Sequence, residues 1–288
     1  MRQEDKITEK SSLYHHLESK SVGELLEDIN REDHKVADAV KEALPQIEAL
    51  VVEAEKRMKR GGRVFYIGAG TSGRLGVLDA SELPPTFGVP STLVSGLIAG
   101  GDTALRNAVE NAEDMTAQGW ADLQKFEPTA DDTLIGIAAS GTTPYVIGAI
   151  REARAHHMLT GCITSNPSTP LAEASEFPIE TIVGPEFVTG SSRMKSGTAQ
   201  KMVLNMISTT LMIRMGRVQD NRMVNMQLTN AKLVERGTHM IQEQTGLSYE
   251  EAKAELKACY DGYHFVEDSE GIYNPFSLLN TFFKMKFG

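Results

Sequence analysis

The sequence predicts an α/β fold in which a doubly wound parallel sheet is covered by helices on both faces. Three observations predict this fold. An apolar run at residues 63–68 has the character of a buried strand and leads through a glycine-rich turn into a helix. Predicted strands and helices then alternate as far as residue 215, and loops rich in serine and threonine follow several of the strands. Such alternation implies right-handed crossovers, and ligands of these sheets bind at the carboxyl ends of the strands.

The first 60 residues are predicted to be helical after a polar arm at residues 1–20. Ser21, with Glu24 three residues later, matches a capping box and marks the start of a helix. Two helices are expected here, at about 21–31 and 33–60. The second helix carries an apolar stripe at helical spacing.

The alternating part contains five predicted strands. They are expected at 63–68, 92–98, 133–139, 158–164 and 178–183. The helices between and after them are expected at 72–82, 103–118, 144–156, 169–175 and 192–215. The first of these helices should end before Pro84-Pro85, because proline cannot continue the hydrogen-bond ladder. A further helix should reach about Gln244.

The predicted organisation therefore has four parts. They are an N-terminal helical segment (1–60), a sheet domain (61–218), C-terminal helices (219–258) and an aromatic-rich tail (259–288).

Composition excludes several classes of function. The net charge is −10 and lysine and arginine form no cluster, which argues against a nucleic-acid surface. No apolar run approaches the roughly 18 residues of a membrane span, and the N-terminus lacks the apolar core of a signal peptide. Cys162 and Cys259 provide neither a disulfide framework nor metal-ligand spacing. A soluble, cytoplasmic protein is expected.

A phosphorylated small molecule is the predicted ligand. Thr71 and Ser72 lie at the start of a predicted helix, where unpaired N–H groups and the helix dipole favour an anion. The spacing of Gly68, Gly70 and Gly73 also matches the dinucleotide fingerprint. That fingerprint requires an acidic residue about 20 positions further on, and none is present there.

Three more loops at the same predicted sheet edge carry similar side chains. They are SGTTP at 140–144, TSNPS at 164–168 and TGSSRMK at 189–195. Each would serve as an ordinary helix cap, but together they offer hydroxyls, N–H groups and the cations Arg193 and Lys195. The candidate binding residues are Gly70, Thr71, Ser72, Gly73, Ser140, Gly141, Thr142, Thr143, Ser191, Ser192 and Lys195. A sugar phosphate is the simplest ligand for such a site.

Carboxylates are the candidate catalytic groups, because the sequence contains no metal-ligand cluster, Walker loop or nucleophile elbow. Glu82 and Glu113 are the two candidates. Ten residues of helix separate Ser72 from Glu82, a distance of about 15 Å. Glu82 would then serve a partner subunit's site, unless Gly76 bends the helix.

Several long motifs identify a known family. They are GAGTSGRLGVLDASE at 68–82, PPT at 84–86, GLIAGG at 96–101, AASGTTPYV at 138–146, TGSSRMK at 189–195 and GTAQK at 197–201. They resemble the N-acetylmuramic acid 6-phosphate etherases, and the resemblance runs from about Ile7 to about Leu256. It implies the sugar isomerase (SIS) fold, with a five-stranded parallel sheet, usually in a homodimer.

The resemblance implies a lyase of cell-wall recycling that requires no metal or organic cofactor. The enzyme removes D-lactate from C3 of N-acetylmuramic acid 6-phosphate and leaves N-acetylglucosamine 6-phosphate. The family's two acid/base glutamates match Glu82, the proton donor to departing lactate, and Glu113, the base for the C2 proton. That proton is acidic because it lies beside the C1 aldehyde of the opened sugar. Asn111 stands where the family more often has glycine.

Two other hypotheses stay open. A sugar-phosphate-binding regulator, such as the glucokinase regulatory protein, would need the serine- and threonine-rich loops but neither glutamate. A sugar-phosphate isomerase would share the base at C2 and need no acid at C3.

The C-terminus departs from the etherases. Residues 259–288 resemble part of a bacterial AAA-ATPase-like family, but that family's nucleotide loop is absent from the sequence, so no ATPase activity is expected. We expect this tail to be dispensable for the chemistry.

Overall fold

The computed structural model describes residues 6–223 and 231–260. The chain divides into two compact units. The first comprises Met1–Ser81 and Thr92–Leu211, and the second comprises Glu82–Ser91 and Met212–Gly288. Most of the predicted tail, residues 261–288, lies outside the described residues.

Five parallel strands form one sheet in the first unit. They are β1 (Val64–Gly68), β2 (Val94–Ile98), β3 (Thr133–Ile137), β4 (Leu159–Thr164) and β5 (Phe177–Glu180), in the spatial order β2-β1-β3-β4-β5. All residues of β1, β3 and β4 are buried, which explains why these strands are continuous apolar runs without alternation. The predicted fold class and all five strands are confirmed.

The helices of the first unit begin with α1 (Val22–Glu42) and α2 (Leu44–Met58). Ser21 and Glu24 form the predicted capping box at the start of α1. The predicted break near residue 32 is wrong, because α1 continues through it to Glu42. The break falls at Ala43 instead. Pro45 therefore lies in the first turn of α2, where its missing N–H costs no hydrogen bond.

Helix α3 (Gly70–Phe87) is longer than predicted. It passes through Pro84 and Pro85, where the sequence predicted its end. The stop comes at Gly88, which has a φ of +61° and donates its N–H to the carbonyl of Pro84. A glycine in this conformation is a common helix terminator.

The segment between β2 and β3 is less helical than predicted. In place of one helix at 103–118, it contains α4 (Thr103–Arg106), a 3-10 turn (Ala112–Asp114) and α5 (Gln118–Gln124). Asn111, with a φ of +60°, lies in the left-handed region and interrupts the helical path. Asparagine tolerates this conformation better than most residues, so the turn does not require glycine at this position.

The remaining helices of this part agree with the prediction in number and place. They are α6 (Pro144–Ala155), α7 (Pro170–Ala174) and α8 (Lys195–Arg214). Helices α5 and α6 cover one face of the sheet over a buried cluster that includes Phe65, Ile67, Leu134, Tyr145 and Ile150. Ala99 and Ala138, which directly follow β2 and β3, belong to the same cluster.

Helix α3 packs closely against β1 because of Gly76. A Cβ added to this glycine would lie 2.9 Å from Cβ of Tyr66. Gly76 is needed for this close approach, and α3 is one helix on both sides of it.

The described residues of the second unit include two further helices, α9 (Ala231–Thr245) and α10 (Tyr249–Tyr260), packed around Ile241, Ala252 and Leu256. A short antiparallel hairpin of β6 (Val218–Gln219) and β7 (Arg222–Met223) was not predicted, because two-residue strands are too short for a pattern. Within the described residues, no helix has the length and apolarity that crossing a membrane would require.

Candidate active site

The candidate site begins at the switch point of the sheet. In the order 2-1-3-4-5, the connections leave β1 and β3 in opposite directions, and ligands of such sheets bind at the carboxyl ends of these strands. Strand β1 ends at Gly68 and leads into the first turn of α3. Strand β3 ends at Ile137 and leads into the loop at 138–143. Both loops were selected from the sequence for their hydroxyls and glycines.

A cavity of about 210 Å³ brings together three segments near β1. Its lining includes Gly70 of the phosphate-loop candidate, Arg74 of the first turns of α3, and the segment from Ala108 to Glu113. The Glu113 side chain is exposed, in the 3-10 turn that replaces the predicted helix. The structure therefore places the candidate base and the candidate phosphate-binding turn on the wall of one cavity.

Arg74 supports this cavity and was not singled out from the sequence. Its Nε donates a hydrogen bond to the carbonyl of Leu105 (3.0 Å), and its Nη2 donates to the carbonyl of Ala104 (2.7 Å). These carbonyls lie in α4, just before the segment that carries Glu113. Arg74 therefore ties α3 to the start of that segment, and its position inside a long glycine-rich motif was the available signal.

The first turn of α3 is held against α8. The Ser72 hydroxyl is buried and donates a hydrogen bond to Oε1 of Gln200 (2.9 Å). Gly197 lies beside Thr71, since an added Cβ would be 3.5 Å from the Thr71 methyl group. The hydroxyl proton of Ser72 is thus used within the protein, whereas Thr71 remains half-buried at the surface of the turn.

The loop after β3 has an internal arrangement of hydroxyls. Oγ of Ser140 accepts hydrogen bonds from the backbone N–H and the hydroxyl of Thr142, both at 3.2 Å. Gly141 has a φ of +68°, and a Cβ there would lie 2.3 Å from Oγ1 of Thr169. Only glycine fits at this position. Thr143 is half-buried and directly precedes α6.

The first part of the loop after β4 is buried, whereas Ser168 is exposed. Ser165 and Asn166 are fully buried. The Asn166 side chain donates hydrogen bonds to the carbonyl of Ala139 (3.1 Å) and to the hydroxyl of Thr8 (3.0 Å). This serine- and threonine-rich loop therefore connects the N-terminal segment to the β3 loop.

The loop before α8 places Ser191 and Ser192 in half-buried positions and exposes Arg193. Lys195, by contrast, is only 1% exposed, and its Nζ donates to Oε2 of Glu32 at 2.6 Å. Lys195 is therefore committed to a buried ion pair, and direct contact with a ligand would require this pair to open.

Two carboxylates hold the start of α8. Glu186 accepts hydrogen bonds from the backbone N–H groups of Lys195 and Ser196, at 2.9 Å each. Burial alone would raise the pKa of Glu32, but hydrogen bonds from Lys195, Lys35 and Tyr14 outweigh it and lower the pKa to about 2. The Glu32 carboxylate thus stays charged and fixes the loop that precedes α8.

Glu82, the other catalytic candidate, is an exposed residue of α3. It belongs to the second unit, whereas Glu113 belongs to the first.

Comparisons with known proteins define the class of this fold and site. Residues 45–154 match the family described as the glucokinase regulatory protein N-terminal SIS domain, and residues 120–209 match the SIS domain. A structure from Bacteroides fragilis, described as a candidate phosphosugar isomerase involved in capsule formation, has a TM-score of 0.50 and 22% identity, over 66% of this chain and 91% of that chain. At this identity the likeness concerns the fold alone. The chain is a SIS-domain protein.

Curated relatives identify the family within this class. A protein of Bacteroides thetaiotaomicron is 69% identical over 251 residues, which is 87% of this chain and 91% of its own. A protein of Porphyromonas gingivalis is 67% identical over 88% of this chain and 92% of its own, and one of Cronobacter sakazakii is 55% identical over 81% and 78%. All three are named N-acetylmuramic acid 6-phosphate etherase. The chain belongs to the N-acetylmuramic acid 6-phosphate etherase family.

Proposed function

We propose that this chain is a lyase that cleaves the D-lactyl ether of N-acetylmuramic acid 6-phosphate, giving N-acetylglucosamine 6-phosphate and D-lactate. The observation that carries the proposal is the cavity shared by Gly70 and Glu113 in a chain of the etherase family. A phosphosugar held at the turn would have its ring within reach of the carboxylate. The expected cytoplasmic location is part of the same proposal.

The first half of the reaction removes lactate. The Glu113 carboxylate takes the proton from C2 of the opened sugar, and the electron pair passes into the C1 aldehyde to give an enolate. The enolate then expels the oxygen at C3 as the C2–C3 double bond forms, and Glu82 protonates that oxygen so that it leaves as the hydroxyl group of lactate and not as an alkoxide. In the second half, water adds to C3 and a proton returns to C2. General acid–base assistance of this kind typically contributes 10²–10⁴-fold.

The 6-phosphate is bound in this proposal by the loops after β1 and β3. Backbone N–H groups of Gly70 to Ser72 and the hydroxyls of Thr71, Ser140 and Thr143 supply the donors. Ser191 and Ser192 contribute from the loop before α8. Lys195 acts on this site through Glu32, since the ion pair fixes that loop. Ser72 acts in the same indirect way through Gln200.

A homodimer is the proposed assembly, and a surface of α1 supports it. Val22 and Leu26 are 74% and 62% exposed, and Leu25 and Ile29 are half-buried. These four residues share one helical face, so α1 presents an apolar stripe that a second copy of the chain would cover.

The homodimer allows Glu82 to act in the active site of the partner subunit. Because Gly76 serves close packing against Tyr66, a bend there has no support, and we assign Glu82 to the partner subunit's site.

The test is lactate release from N-acetylmuramic acid 6-phosphate, together with exchange of the C2 hydrogen in deuterated water. Glu113→Gln should lose both signals by about 10²-fold or more. Glu82→Gln should lose lactate release and keep exchange, because enolisation precedes departure of lactate. Glu110→Gln is the matched control, since Glu110 is an exposed carboxylate that lines the same cavity.

Three outcomes would contradict the proposal. Lactate release at the wild-type rate in Glu113→Gln or Glu82→Gln would refute the assigned roles. A wild-type chain that binds the phosphosugar and releases no lactate would favour the regulator hypothesis. Interconversion of aldose and ketose phosphates without lactate release would favour an isomerase.

A further inference from the structure

Residues 6–12, which we call the N-terminal strap, lie across three loops at the carboxyl edge of the sheet. Lys6 donates a hydrogen bond to the β3 loop, Thr8 is bonded to the β4 loop, and Ser12 is bonded to the segment before α8. In the last contact, the Ser12 hydroxyl donates to the carbonyl of Phe187 at 2.7 Å. The sequence predicted only a polar arm here, but the strap is part of the sheet edge where the ligand is expected.

A buried pair of side chains fixes the strap. Thr8 is 1% exposed and lies in the 3-10 turn Ile7–Glu9. Its backbone N–H donates to Oδ1 of Asn166 (3.2 Å), and its hydroxyl accepts from Nδ2 of the same side chain (3.0 Å). Asn166 also donates to the carbonyl of Ala139 at the start of the β3 loop. One asparagine side chain therefore fixes the position of the strap relative to the β3 loop.

This position of the strap places the ammonium group of Lys6 at the proposed phosphate site. Nζ of Lys6 lies 2.9 Å from Oγ1 of Thr142, the residue whose N–H and hydroxyl both donate to Ser140. A lysine ammonium group carries three donors, and the bond to Thr142 uses one of them. Lys195, one of the two cations expected from the sequence, is paired with Glu32. A phosphate group at this loop would therefore meet Lys6 before it met Lys195.

We propose that Lys6 is a substrate-binding residue that contacts the 6-phosphate, and that the N-terminal strap is the element that positions it. The name of the substrate rests on the proposed function, but the phosphate contact does not, because it would apply to any 6-phosphosugar bound at the β3 loop. The physical reason is a charge-assisted hydrogen bond between an ammonium group and a dianion, which is about twice as strong as a neutral one.

The experiment compares Lys6→Met with Lys10→Met, an exposed lysine of the same strap. Calorimetry measures binding of N-acetylglucosamine 6-phosphate and of N-acetylglucosamine. Lys6→Met should weaken binding of the phosphorylated sugar by about tenfold or more and leave the unphosphorylated sugar unchanged. Lys10→Met should behave as wild type, and Lys6→Arg should recover part of the loss. Thr8→Val, which removes the hydroxyl bonded to Asn166, should weaken phosphosugar binding in the same direction.

The two proposals fail separately. Equal phosphosugar binding by wild type and Lys6→Met would overturn the role of Lys6, whatever the lactate assay shows. A selective loss of phosphosugar binding in Lys6→Met, in a chain that releases no lactate, would support Lys6 and reject the etherase reaction. If Lys10→Met loses as much affinity as Lys6→Met, the effect is one of general charge and the inference is wrong.

Discussion

Replacing Glu32 by glutamine should destabilise the chain and weaken the response of its stability to acid. Glu32 and Lys195 form an ion pair with both side chains 2% exposed, joining α1 to the first residue of α8. The substitution keeps the shape of the side chain and removes its charge. It leaves the ammonium group of Lys195 buried without its counter-charge, which is the costly way to break such a pair.

The size of the effect follows from the pKa of Glu32. The pKa falls from 4.5 to about 2, and each pKa unit corresponds to about 1.4 kcal/mol. The ionised carboxylate therefore contributes about 3 kcal/mol at neutral pH. Because the folded pKa is the lower one, this contribution is complete above pH 4.5 and is lost as the pH falls towards 2. At pH 3 about 1.5 kcal/mol should remain.

Urea unfolding followed by circular dichroism, at pH 7 and pH 3, measures both values. Glu32→Gln should lower the free energy of unfolding by about 3 kcal/mol at pH 7 and by about half of that at pH 3. Glu53→Gln is the control, because its pair with Lys56 is exposed and should contribute less than about 1 kcal/mol. A Glu32→Gln loss below about 1 kcal/mol at pH 7, or an equal loss at both pH values, would refute the reasoning.

Two further predictions concern the site. Arg74→Lys replaces two directed hydrogen bonds to the carbonyls of α4 by one at most, so the turnover number should fall about tenfold while the melting temperature changes little. An unchanged turnover number, measured by lactate release, would show that Arg74 does not position Glu113. Mixing inactive Glu82→Gln and Glu113→Gln subunits after dissociation should restore up to about a quarter of wild-type activity, because half of the random dimers would carry one intact site made from both chains. If the mixture stays inactive while mixed dimers are detected by mass, Glu82 does not act across the subunits.

The strands were predictable because both faces of this sheet are covered. Complete burial leaves short apolar runs bounded by glycine and polar residues, as in β1 and β3. Helix ends were less predictable, because proline acts differently by position. Pro45 lies in the first turn of α2, whereas Pro84 lies inside α3 and does not end it. Helix α3 ends at Gly88 instead. From sequence alone, proline is a stronger helix-ending signal than glycine.

The loops of the candidate site were predictable, but most of their partners were not. Hydroxyl-rich sequences at strand ends indicated the edge of the sheet, and the family resemblance selected the two glutamates. The bond between Lys195 and Glu32 joins residues 163 positions apart, and that between Thr8 and Asn166 joins residues 158 positions apart. No local pattern marks such pairs. A sequence therefore indicates which side chains suit a phosphate, while the fold determines which of them are already engaged.

The N-terminal strap also has a consequence for the order of events during synthesis. The strap is translated before its partners, since the residues that receive Lys6, Thr8 and Ser12 follow 136, 158 and up to 177 positions later. At about 5–20 residues per second, the ribosome needs roughly 8 to 30 s to supply Asn166 after Thr8. During that interval the strap lacks its contact with Asn166, and a nascent chain that ends before residue 189 cannot complete the contacts of the strap. Asn166 can therefore fix Thr8, and with it the position of Lys6 at the β3 loop, only after β4 has been synthesised.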